Sequence, residues 1–191
     1  VGAYLLITLD SDSEDQLYTL LEQAAELVLD AGAMDVLVAD SPAKMRDAWA
    51  ARSAFLEVIM EETKLLDECD VVVPVTKIAS YLEFVNKTGE ECGLVIRSFG
   101  HAGDGNLHIY ECSNDLTEEE FKKRVDKFFD LIYKEASAQG GLVSGEHGIG
   151  SGKIQYLVES IGETNMALME GIKRVFDPKM ILNPGKVCYR L

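Results

Sequence analysis

Two apolar runs near the middle of the chain, GLVIRSFG (93–100) and NLHIYEC (106–112), are separated only by HAGDG. A connection this short permits antiparallel pairing alone, because parallel strands need a crossover of about a dozen residues or more. That hairpin excludes a strictly alternating, all-parallel fold. Around it, GAYLLITLDS (2–11), MDVLVAD (34–40) and DVVVPV (70–75) read as further strands. Leu17, Leu20, Leu21, Ala24, Leu27, Val28 and Ala31 recur at helical spacing behind a Ser13–Gln16 capping pattern. A second helix follows Ser41-Pro42, with Met45, Trp49, Arg52, Leu56 and Ile59 on one stripe. Helices are expected over about 76–88, from Thr117 to about Ala138, and in two lengths at about 153–160 and 163–176. The tail DPKMILNPGKVCYRL is irregular. The expected architecture is α+β: a ferredoxin-like antiparallel or mixed sheet with helices packed on one face, plus C-terminal helices, in one domain over 1–191.

The formal net charge of −15 argues against a nucleic-acid partner, whose phosphates require Lys and Arg, and against a bare anionic membrane surface. No apolar run approaches the length of a transmembrane helix. Cys69, Cys92, Cys112 and Cys188 are scattered, without a C-x-x-C pair. They read as packing residues in a reducing cytoplasm rather than a cluster or zinc site. The chain opens without Met, and a fragment of a longer protein is expected.

All three histidines fall in two glycine-rich turns: His101 and His108 in SFGHAGDGNLHIY, His147 in GGLVSGEHGIGSGK. One histidine near a turn is ordinarily a capped or solvated side chain. Here a hairpin brings His101 and His108 toward each other, since cross-strand β-carbons lie about 4.5–5.5 Å apart. Glu146 and His147 sit between glycines that break a regular strand, so both can face one cavity. Two histidines and a carboxylate suit zinc, iron(II), manganese or cobalt with open positions for substrate. The remaining histidine is then available as a general base. The glycine loop fails both phosphate patterns. Residue 147 of the Walker spacing is His and residue 154 is Ile, and the third glycine of a dinucleotide fingerprint is missing.

GHAGDGNLH, SGEHGIG and the terminal ILNPGK, with Trp49-x-x-Arg52 and VVVP, make the chain resemble the C-terminal domain of FAD-linked oxidases over essentially its whole length. More narrowly it is similar to the D-2-hydroxyacid dehydrogenases acting on lactate, glycolate or 2-hydroxyglutarate. The resemblance implies a substrate-binding cap whose N-terminal FAD-binding domain is absent from this chain. The expected reaction is oxidation of a small D-2-hydroxy acid to the 2-oxo acid, hydride passing to FAD. His101, His108 and Glu146 would hold a divalent metal (Zn, Mn or Fe(II)), and His147 would be the catalytic base. Arg52 would clamp the substrate carboxylate beside Tyr110, and Asn183 and Lys186 would return toward the cofactor. Tyr110, Leu56 and Glu68 replace an Asn, a Thr and a Lys of the hydroxyglutarate enzymes. These departures favour a monocarboxylate of the lactate or glycolate type.

The expected partners are the small 2-hydroxy acid, the FAD domain of the parent protein and a downstream electron-transfer protein. The surface left by the missing domain would also serve a homodimer. Two rival readings stand beside it, the first with the same ligand residues and the second with no metal. One is a stand-alone metallohydrolase working through metal-bound hydroxide; the other is a non-enzymatic ferredoxin-like ligand-binding domain.

Overall fold

Glycine fixes the central hairpin. Gly105 takes φ +84°, and a side chain there would collide with the carbonyl of Val73. Its amide returns to the carbonyl of His101 at 3.0 Å, closing the turn between β2 (Val95–His101) and β3 (Asn106–Ser113). The computed structural model describes residues 2–188. It divides into two compact units at Phe55/Leu56.

The first unit carries α1 (Glu14–Asp30) and α2 (Pro42–Ser53). Ser13 Oγ accepts from the Gln16 amide at 3.2 Å, while the Gln16 side chain accepts from Ser11 Oγ instead of completing a capping box. Ser41 Oγ caps α2 through the Lys44 amide at 3.4 Å. The strands expected at 2–11 and 34–40 are not formed. An apolar run becomes a strand only with a ladder partner, and among the described residues neither segment has one. Tyr4 and Leu37 are each 89% exposed. The single stripe expected after Ser41 is also broken. Ala54 (φ −82°, ψ −5°) ends α2, and α3 (Phe55–Glu62) restarts after it. Arg52 and Leu56 therefore do not share one continuous helix.

The second unit holds an antiparallel sheet of order β1-β3-β2, with β1 at Leu65–Val72. β1 begins five residues earlier than the apolar run suggests and stops before Pro74. Pairing with the full length of β3 outweighs the polar character of Asp67 and Glu68. A short 3-10 turn (Val75–Lys77) leads into α4 (Ile78–Cys92), and α5 (Glu118–Ala138) follows β3. α5 starts on a complete capping box between Thr117 and Glu120. α4 and α5 cover one sheet face, where Cys69, Val71, Leu107 and Ile109 meet Tyr81, Val85, Val125, Phe128 and Ile132. The order β1-α4-β2-β3-α5 follows five elements of a β-α-β-β-α-β plan. At the sixth, the described residues hold one antiparallel bridge, Val72 to Leu142. α6 (Ile154–Phe176) is interrupted at Gly162 (φ +76°, ψ 164°), between the two expected helical lengths. No helix among the described residues is long and apolar enough to cross a membrane.

Candidate active site

The register that buries odd-numbered residues of β1 and β3 under the helices sends the even-numbered ones to the other face. Asp70 pairs with His108, Glu68 with Tyr110 and Val72 with Asn106. On the far side of β3, Phe99 pairs with His108 and His101 with Asn106. Glu68, Asp70, His101, Asn106, His108 and Tyr110 thus share one sheet face, and the 144–148 loop closes over it.

Asp70 fastens that loop. Its carboxylate accepts from Ser144 Oγ (2.7 Å) and from the amides of Gly145 (3.0 Å), Glu146 (3.1 Å) and His147 (2.9 Å). It also accepts from the Asn106 side-chain amide (2.7 Å). Gly145 passes so close to that amide that a side chain would overlap it. Burial alone would raise the Asp70 carboxyl. The Ser144 hydroxyl and the three loop amides override it and hold the group far below the usual carboxylate range.

The loop sets Glu146 and His147 against His108. Glu146 Oε1 lies 3.0 Å from His108 Nε2 and 3.7 Å from His147 Nε2. The His108 and His147 rings stack with centroids 4.8 Å apart, and the His101 ring meets His108 edge-on at 5.8 Å. Burial, then the neighbouring His147, lower the pKa of His108 against the pull of the surrounding carboxylates. A neutral imidazole is the form that ligates a metal.

The spacing of the donor set suits a divalent ion. One ligating atom each from His101, His108 and Glu146 lies within 4.8 Å of the others, so a single ion is within reach of all three. Glu68, His108 and His147 form a second such group sharing His108.

His101, His108, Glu146 and His147 come together. Tyr110 is buried beside them, stacked on Phe99 at 5.1 Å, and Phe99 in turn lies 5.6 Å from His108. Arg52 belongs to the first unit, its guanidinium 5.9 Å from the Phe55 ring centroid. Asn183 and Lys186 lie in an exposed turn of the tail. Asp177 accepts from the amides of Ile181 and Leu182, and Val187 donates to the Gly150 carbonyl at 2.7 Å. The tail is thus tied to the end of the glycine loop.

Two residues escape the sequence reading. Asp70 reads as the head of an apolar strand, and Glu68 as a departure from relatives. The available signal is their spacing: two acids at i and i+2 share one face of a strand.

The family model for the C-terminal domain of FAD linked oxidases matches residues 1–187. A D-lactate dehydrogenase of Anaerostipes hadrus is 60% identical over the whole chain, which covers 40% of that protein. A D-lactate dehydrogenase of Archaeoglobus fulgidus is 37% identical over 99% of the chain and 40% of its own length. The glycolate oxidase subunit GlcD of Bacillus subtilis is 37% identical over 72% of the chain and 29% of its own length. The chain thus spans about 40% of the length of the first two relatives.

Proposed function

The chain belongs to the family of C-terminal domains of FAD-linked oxidases, and from that premise we propose that it is the substrate-binding cap of an enzyme oxidising a small D-2-hydroxy acid, of the lactate or glycolate type, to the 2-oxo acid. The observation that carries this reading is the convergence of His101, His108 and Glu146, with ligating atoms within 4.8 Å of one another, and of His147, whose ring stacks on His108 at 4.8 Å. A hydroxyacid oxidation needs both parts: something to hold the hydroxyl and carboxylate, and a base for the hydroxyl proton.

FAD, held mainly by the remainder of the parent protein, would supply the hydride acceptor. A divalent ion (Zn, Mn or Fe(II)) on His101, His108 and Glu146 would supply Lewis-acid polarisation of the substrate hydroxyl. His147 Nε2 takes the hydroxyl proton as the C2–H bond gives up its hydride. A guanidinium such as that of Arg52 would grip a substrate carboxylate through a bidentate fork. Tyr110 and Phe99 form an aromatic floor beside His108. Asn183 and Lys186, in the tail tied down by the Val187–Gly150 bond, would contact the cofactor. An electron-transfer protein receives the electrons downstream. A homodimer would form through the surface that otherwise meets the FAD domain.

The test is rapid-mixing flavin reduction in the full-length parent protein. D-lactate should reduce the flavin faster than D-2-hydroxyglutarate, and His147→Ala should slow reduction by about 10²–10⁴-fold. Unimpaired reduction in the variant would remove His147 from the chemistry, and no reduction by any D-2-hydroxy acid would overturn the reading.

A further inference from the structure

The two stacked histidines point the same way. Both Nδ1 atoms face Glu68 Oε1, at 3.6 Å from His108 and 3.2 Å from His147. Both Nε2 atoms face Glu146 Oε1, at 3.0 and 3.7 Å. One carboxylate therefore stands behind the pair and another in front.

We propose that Glu68 is a positioning residue: its carboxylate collects the Nδ1–H of both His108 and His147, so that Nε2 of each is left with its lone pair toward the working side of the site. The inference rests on the reading of His108 as a ligand and His147 as the base. A neutral imidazole carries one proton, and the partner of one nitrogen decides which nitrogen keeps it. A ligating His108 must present an unprotonated nitrogen to the ion, and a base must present one to the substrate. Glu68 meets both needs from one strand position.

Burial supports this assignment. Glu68 Oε1 and His108 Nδ1 are both buried and both lack a hydrogen-bond partner, although they face each other. A buried donor or acceptor left unmade is costly, and a hydrogen bond between these two would satisfy both. A ligating histidine backed by a carboxylate on its other nitrogen is a recurrent way of fixing tautomer and ring orientation. Here the same carboxylate also serves the neighbouring base. β1 brings the two together: Asp70, two residues along from Glu68, holds the backbone amide of His147.

The experiment uses the full-length protein, zinc-loaded, with ¹⁵N-labelled histidine. Long-range ¹H–¹⁵N spectra report which ring nitrogen is protonated, and His108→Ala and His147→Ala assign the signals. Zinc affinity is measured in parallel by chelator competition. Wild type should show both residues protonated at Nδ1. Glu68→Ala, or the size-matched Glu68→Met should the first not fold, should give mixed tautomers at His147 and at least about tenfold weaker zinc binding. Glu68→Gln keeps an accepting oxygen and should restore most of both. Unchanged tautomers and affinity in Glu68→Ala would overturn the proposal. So would a wild type with zinc on the Nδ1 atoms, which would make Glu68, His108 and His147 the ligands. Neither readout involves flavin or hydroxy acid. A protein inert toward D-lactate would unseat the functional reading and leave this one standing, and the reverse holds equally.

Discussion

Asp70 shows how much one side chain can organise. It is fully buried, yet ionised, because five donors from Asn106 and the 144–147 segment converge on it. Removing it strands those donors in the interior. Asp70→Ala is therefore expected to lose roughly 2–4 kcal/mol of stability. Hydrogen exchange should quicken at the amides of 145–147 before it does in β3. The sign with pH follows from a folded pKa below the unfolded value of about 3.9. The contribution is complete above that value and is lost as pH falls toward the folded one. The denaturation curves of wild type and variant should converge only in strong acid. The histidines and Glu146 were legible in the sequence because glycine turns gather scarce residue types. Asp70 and Glu68 were not, because their partners lie 36 to 79 positions away, and strand register rather than local pattern brings them together.

At the scale of elements, local signals served well wherever the partner was also local. The β2–β3 hairpin, the Thr117 cap of α5 and the break at Gly162 all depend on neighbours in sequence. The segments 2–11 and 34–40 failed for the opposite reason: their apolar character says nothing about whether a ladder partner exists. The hairpin itself can be tested through its turn. Gly105→Ala meets the Val73 carbonyl at a positive φ and should cost more than about 1 kcal/mol. It should also weaken metal binding, by moving His101 against His108. Gly103→Ala, with open space around it, should leave both unchanged. Thermal denaturation and chelator competition on the two variants would check this.

At the scale of the molecule, one group runs against the rest of the core. Glu111 is fully buried on the helix-covered face, and neither carboxylate oxygen has a hydrogen-bond partner. Burial first, then Asp67 opposite it on β1, raise its pKa well above the usual value. A carboxyl whose folded pKa exceeds its unfolded one, about 4.3, supports the fold below that pH and opposes it increasingly as pH rises through the folded value. Glu111→Leu should accordingly stabilise the protein at neutral pH by roughly 1–3 kcal/mol and flatten its loss of stability toward alkali. Melting temperatures across pH 5–9 would measure both, and a destabilised variant would show that Glu111 has a partner on folding.

The 144–148 loop, finally, has the makings of an anion receptor: successive backbone amides, a hydroxyl and glycines on either side. Its guest is Asp70, covalently tethered on the neighbouring strand. A tethered guest is present at an effective molarity that dissolved phosphate or nucleotide cannot match. The receptor is therefore permanently saturated from within, and what looks by composition like a phosphate cradle is in use as an internal clasp.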